Sequence, residues 1–376
     1  MSTLWLIGGL LATWMIWRWL KGQDLTRFDL GHPTPRSMTS TEQERSATLT
    51  RINGFIRSAN SGSISLKRVS RLREVMDGMG EGVHFASRFE PVSDGGIRGE
   101  WVLAPYADPD KRLLYIHGGG FFAGSPKSHR LLTDALAVNT GMSVFALDYR
   151  LLPEANQKAA IDDARQGLQW LANNAPNGSS GVASHLVVAG DSAGGNLTLS
   201  CLQWARDESS VNVDAGIAFC PSTDITLSSP SFRYNLESDL ILGKSLRPIL
   251  MIPSFLRLLV FWLINRRRPS HPAFSPVMGD LSNLPPTLLQ ASTTEMLLDD
   301  SARYYHKACA SGSVAELELY PDMVHVWHLF SAEISEGRDA IISVVHFLER
   351  VGVLRPSIKT ADVSVEIPRY HGANQD

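Results

Sequence analysis

The chain has 376 residues, 44% of them hydrophobic and 19% charged, with a formal net charge of −3. That is enough apolar material for one large domain with a buried core, and the slight negative charge argues against nucleic acid as a partner. Three cysteines leave one unpaired in any scheme, which speaks against a disulfide framework, and the histidines and cysteines show neither H-E-x-x-H nor paired zinc spacing.

Leu4 to Leu20 is apolar apart from glycines, Thr13 and Arg18, with Trp14, Trp17 and Trp19 near its C-terminal end. Its 17 residues are the lower limit for a membrane-spanning helix, and the tryptophans suit an interface. A cleaved signal peptide wants a charged start and a small-residue cleavage site, and neither is evident. Residues 1–23 are therefore expected to form an uncleaved, single-pass membrane anchor; the alternative is an apolar helix lying on a membrane surface or against a cap. Arg18, Lys21 and Arg27 all follow the segment, which by the positive-inside tendency puts the remainder in the cytosol. Residues 24–79 are rich in short helical stretches and read as the first part of a helical cap.

Leu113-Leu114-Tyr115-Ile116 reads as a buried strand, and His117-Gly118-Gly119-Gly120 follows it directly. Ser143 to Leu147 is a second strand and Ala159 to Ala172 a helix. The strand His185 to Ala189 then leads into Gly190-Asp191-Ser192-Ala193-Gly194, with a helix start from Asn196 to Leu202, and Ala215 to Phe219 is a further strand. This alternation predicts an α/β fold, a mostly parallel sheet with helices on both faces.

G-x-S-x-G between a strand and a helix is a nucleophile elbow. A strained turn lifts the serine Oγ out of the sheet, and the glycines leave room around it. By itself the pattern arises by chance in roughly one chain in ten of this length. The upstream His-Gly-Gly-Gly loop after its own strand is the kind that supplies an oxyanion hole. Two motifs in the correct order make accident a poor explanation. The N–H groups of Gly118, Gly119 and Ala193 are the expected oxyanion donors.

Between Asp224 and Pro272 lies an insertion whose stretch Leu246 to Asn265 is too apolar for a solvated helix. Pro253 and Arg257 count against a second span, while Arg266-Arg267-Arg268 suits a lipid headgroup surface. The expected role is a buried cap helix lining an acyl pocket; membrane contact is the alternative. Thr287 to Ala291 and Glu316 to Tyr320 read as the last two strands. Residues from 357 onward are polar and expected to be loosely held.

These segments resemble the hormone-sensitive-lipase branch of the α/β-hydrolase esterases, which includes arylacetamide deacetylases and many microbial carboxylesterases. Asp148-Tyr149-Arg150-Leu151-Leu152-Pro153-Glu154 is similar to the family's D-Y-R-L-A-P-E, with Leu152 replacing a small residue. Ser275-Pro276 and Leu284-Pro285-Pro286 resemble the approach to the acid-bearing strand. Glu295 to Ser301 resembles the acid loop, and Asp322 to Trp327 the histidine loop. The resemblance runs from about Gly80 to about Val351. It implies an α/β-hydrolase catalytic domain over 80–355, a cap insertion at about 225–272 and a polar tail over 356–376.

The resemblance also implies a triad in chain order Ser, acid, His. Ser192 is the nucleophile. His325 is the expected base, because it directly follows an apolar residue in a loop after a strand; His328 is expected to pack against the start of the last helix. For the acid, Glu295 stands where many relatives have aspartate. Asp299, four residues on, is the alternative, although it is better placed to cap the helix beginning near Asp300.

The implied activity is serine carboxylesterase action on small to medium lipophilic esters, with short acyl groups such as acetyl, and without metal or organic cofactor. The same triad serves amidases, lactonases and acylglycerol lipases. Gibberellin receptors share the resemblance as non-catalytic binders, but they lack the triad histidine that this chain keeps. Microsomal relatives imply the endoplasmic reticulum membrane and a luminal catalytic domain, so the side stays open. The sequon Asn177-Gly178-Ser179 bears on that question, whereas Asn196-Leu197-Thr198 is expected to be inaccessible in the elbow helix.

Overall fold

The computed structural model describes residues 2–59, 66–178 and 181–356; Ser179 of the first sequon and the polar tail from 357 lie outside them. The strands are β1 (Arg88–Asp94), β2 (Ile97–Leu103), β3 (Asp108–Ile116), β4 (Met142–Leu147), β5 (His185–Asp191), β6 (Ala215–Phe219), β7 (Thr287–Ser292) and β8 (Ala315–Tyr320). They make one sheet in the order β1-β2-β4-β3-β5-β6-β7-β8. The β1–β2 and β2–β4 pairs are antiparallel, and every later pair is parallel. The expected α/β architecture is present.

β4 to β7 and the C-terminal half of β3 are buried on both faces, as βαβ crossovers require, while β8 at the sheet edge is partly buried. Leu114, Ile116 and Val188 pack into one core, while Leu113, Tyr115, Val187 and Ala189 pack into another on the opposite face. A strand's period of two sends neighbouring residues to these two cores. Each buried aliphatic side chain contributes roughly 1.5–3 kcal/mol.

The helices are α1 (Ser2–Lys21), α2 (Glu42–Ala59), α3 (Leu66–Asp77), α4 (Arg130–Thr140), α5 (Gln157–Asn173), α6 (Ala193–Glu208), α7 (Ser231–Tyr234), α8 (Gly243–Met251), α9 (Ser254–Asn265), α10 (Leu298–Ala310) and α11 (Ser335–Arg350). α5 shows how sequence makes such a helix. Asn156 Oδ1 accepts from Ala159 N–H at 3.1 Å as an N-cap, and Ala160, Ile161, Ala164, Leu168 and Leu171 form one buried stripe.

Residues 24–59 and 66–79 are clasped to the rest of the chain by charge. Arg36 pairs with Glu318 and Asp339, Arg303 with Asp29, and Arg51 with Glu333. The Glu336 carboxylate accepts from Thr39 and Ser40 backbone N–H groups at 2.8 and 2.9 Å. Ile52 of α2 then packs with Met323, Val326 and Trp327, the neighbours of His325.

Among the described residues no single helix is long and apolar enough to cross a membrane. One expectation needs correction, that of a buried α9: only Leu258 and Asn265 are buried, while Leu256, Val260, Leu263 and Ile264 are 46–57% exposed. Apolarity alone could not say whether that surface faces the protein or its surroundings.

Candidate active site

The site sits at the C-terminal ends of the central strands, where open α/β sheets place their ligands. Parallel registration puts Ile116 of β3 opposite Gly190 of β5, so the loop after β3 and the elbow after β5 emerge side by side. Ser192 has φ +53° and ψ −114°, a strained conformation for a non-glycine residue. The backbone holds it there: Ser192 N–H donates to Phe219 C=O at 2.8 Å, and Asn196 and Ser222 N–H groups donate to Ser192 C=O at 3.0 and 3.2 Å.

Gly194 shows why the elbow needs glycine. A Cβ there would lie 1.9 Å from Ile116 O and 2.6 Å from His117 O, both backbone atoms that cannot swing aside. Gly194→Ala is therefore expected to destabilise the fold by about 3 kcal/mol, read as a lowered denaturant midpoint. An unchanged midpoint would show that the elbow does not press on β3.

Ser192 Oγ lies 3.0 Å from His325 Nε2, and His325 Nδ1 lies 2.6 Å from Glu295 Oε2. The other Glu295 oxygen accepts from Ser292 N–H at 2.8 Å. An ionised carboxylate only accepts, so the proton is assigned to Nδ1 and the Nε2 lone pair faces the serine. Glu295 is fully buried and His325 is 5% exposed. Burial works against the imidazolium, but the hydrogen bond and negative charge of Glu295 outweigh it and raise the His325 pKa above the ordinary 6.5.

The two loops are tied together. Ser292 Oγ and Thr294 Oγ1 both donate to Met323 C=O, at 2.5 and 3.0 Å. Asn235 Nδ2 donates to Thr293 and Glu295 C=O at 3.0 and 2.8 Å, and Asp239 accepts from Met296 N–H at 2.8 Å. Val326 N–H donates to Cys220 Sγ at 3.4 Å. Donor atoms of Cys220, Glu295 and His325 all lie within 4.8 Å of one another. That set could hold a soft metal ion, yet the Glu295–His325 hydrogen bond already engages two of the three residues.

The alternative residues go elsewhere. Asp299 is not a cap: α10 begins at Leu298, and the Asp299 carboxylate bonds His32 at 2.7 Å and accepts from Ser231 N–H at 2.7 Å. His328 is fully buried, with Nε2 2.9 Å from Gln290 Oε1 and its ring against Trp327 and Phe219. Burial lowers its pKa to about 3, so it stays neutral. Its structural role stands, with β7 as partner; Gln290 in turn reaches Ala340 C=O of α11.

The expectation for Gly118 is overturned. Its N–H donates to Asp191 Oδ1 at 2.9 Å and is already committed. Tyr115 OH also donates to Asp191 Oδ1, at 2.6 Å, and His129 Nε2 lies 3.4 Å away. Burial pushes Asp191 up, but His129, Tyr115 and His117 together hold it down at about 2, so it stays ionised. Sequence reasoning assigned the donors by motif position and missed this long-range clamp. Gly119 and Gly120, both at positive φ, have no N–H bond among the described residues. With Ala193, the first residue of α6, they are the uncommitted donors beside Ser192.

A serine backed by a carboxylate-held imidazole, beside unspent N–H groups, is equipped for acyl transfer. That arrangement on a mostly parallel sheet defines the class as α/β-type serine hydrolases. A family model described as alpha/beta hydrolase fold matches residues 113–329, and the chain belongs to that family. It is similar to an acetyl-hydrolase of Streptomyces hygroscopicus, 32% identical over 307 residues, covering 81% of this chain and 95% of the relative. An esterase of Acinetobacter venetianus is 32% identical over 261 residues, 69% of this chain and 81% of its own length. Among solved structures, an esterase from the bacterial hormone-sensitive lipase family superposes with a TM-score of 0.69 at 30% identity, covering 83% of this chain and 99% of that one.

Proposed function

We propose that this carboxylesterase cleaves short-acyl lipophilic esters with Ser192 as nucleophile, His325 as base and Glu295 as acid. The unbroken relay, 3.0 Å from Ser192 Oγ to Nε2 and 2.6 Å from Nδ1 to Glu295, carries the reading. His325 takes the serine proton as Oγ attacks the ester carbonyl, and Glu295 stabilises the imidazolium that forms. Gly119, Gly120 and Ala193 N–H groups hold the oxyanion, each worth roughly 3–4 kcal/mol. His325 then protonates the leaving alcohol and activates the water that releases the acyl group. The name of one relative, acetyl-hydrolase, supports a short acyl group.

In this reading residues 24–79 and about 225–272 form the cap over a catalytic domain, and residues 1–23 attach the chain to a membrane. The test is a chain-length series of p-nitrophenyl esters, acetate to palmitate, run across pH. Acetate or butyrate is expected to turn over fastest. The base acts when neutral, so kcat/KM should fall as pH drops through a value above 6.5, in line with the raised His325 pKa. A folded enzyme that cleaves no chain length, or one whose acid limb lies well below 6.5, contradicts the proposal.

A further inference from the structure

We infer that α1 and the α8–α9 pair dock the molecule flat on an anionic lipid bilayer surface instead of threading it through one. The inference rests on the membrane attachment proposed for residues 1–23 and adds the cap to it. On α1, Leu10, Leu11, Trp14 and Met15 are 55–71% exposed. On α9, Leu256, Val260, Leu263 and Ile264 follow the i, i+4, i+7, i+8 spacing of one helix face and are likewise exposed. The two helices pack together. The Trp19 and Trp262 rings meet edge to face at 6.3 Å, Leu20 and Leu258 are buried, and Ser270 Oγ reaches Trp19 C=O at 3.5 Å. α8 and α9 are bent by 100° at the break before Ser254, which prevents the pair from crossing a bilayer as one straight rod.

Charge selects the occupant. Residues 1–23 and 240–279 together hold eight Lys and Arg and no Asp or Glu, in a chain whose acidic residues outnumber its Lys and Arg 38 to 35. Arg266 and Arg267 are exposed and form no ion pair among the described residues, and Arg18 is exposed near Asp24. Two buried guanidinium nitrogens of Arg257, Nε and Nη1, lack any hydrogen-bond partner. Pairing two copies through this face would bring like charges together, whereas anionic headgroups would neutralise them. Apolar stripes with Trp and flanking Arg are the composition of an interfacial helix. A substrate dissolved in the bilayer would then reach the enzyme at its cap.

The test is flotation of the full chain with vesicles of phosphatidylcholine, with and without phosphatidylglycerol, beside Leu256→Asp/Val260→Asp and Arg266→Glu/Arg267→Glu. The wild type is expected to float with the anionic vesicles and to release in high salt. The apolar variant should lose about tenfold in partitioning, and the charge-reversed variant should lose its preference for anionic vesicles. Both should hydrolyse p-nitrophenyl acetate like the wild type, which separates this inference from the esterase reading. Equal flotation of all three proteins, resistant to salt and alkaline carbonate, would mean that α1 spans the bilayer and would overturn the inference. So would light scattering that shows a wild-type dimer made monomeric by either variant with vesicle binding unchanged.

Discussion

Ser192→Ala lowers kcat for a short-chain p-nitrophenyl ester by about 10⁶-fold, the loss seen when a triad nucleophile is removed. The fold should survive. The elbow is held by the backbone N–H and C=O of Ser192, which bond Phe219, Asn196 and Ser222, and alanine keeps all three bonds. Alanine also inherits the same φ of +53°, so strain is not relieved. An unchanged thermal midpoint with abolished turnover is the expected pair of results. Residual catalysis of about 10³–10⁴ over water should persist, because Gly119, Gly120 and Ala193 still face the carbonyl. Ester turnover near the wild-type rate in folded Ser192→Ala would place the nucleophile elsewhere.

The central sheet was legible because β3 to β7 contain short apolar runs, and a strand buried on both faces has few other compositions open to it. β8 instead alternates Glu316 and Glu318 with Leu317 and Leu319. The β1–β2 hairpin was missed. Arg88, Glu90, Ser93 and Asp94 make β1 polar, and Pro91 is tolerated because the strand lies at the sheet edge. Its signal was the Gly95-Gly96 turn, with φ of +55° and +89°, the positive values a two-residue hairpin loop requires.

The Ser192–His325–Glu295 constellation was legible for a different reason: each member lies in the segment that follows a strand, and parallel strands carry their C-terminal ends to one edge. The Gly118 error shows where that logic stops. Local spacing identifies the glycine loop but not which of its N–H groups a residue 73 positions away has already taken. A signal was present even so, since Asp191 is an acid in the middle of a buried motif and must find donors. The exposure of α9 had no such signal. A stripe of Leu, Val and Ile reads the same whether it meets a core or a lipid surface.

Glu295→Gln lowers kcat by about 10⁴-fold, and Asp299→Asn leaves it within a few-fold of the wild type. Both Glu295 oxygens already accept: one from Ser292 N–H at 2.8 Å, the other from His325 Nδ1 at 2.6 Å. A glutamine offers one acceptor and one NH₂. If its oxygen faces Ser292, the NH₂ points at Nδ1 and forces the imidazole proton onto Nε2, where it blocks the base. If its oxygen faces His325, the NH₂ opposes the Ser292 N–H in a site with no exposed surface, and the acid loop is disturbed. Either arrangement costs the charge that stabilises the imidazolium. Asp299 differs in kind, because its partners His32 and Ser231 join α10 to the N-terminal segment and α7. Asp299→Asn should therefore lower stability by about 1–3 kcal/mol while kcat/KM and its acid limb stay in place. The opposite ranking, with Asp299→Asn inactive and Glu295→Gln active, would sink the Glu295 assignment.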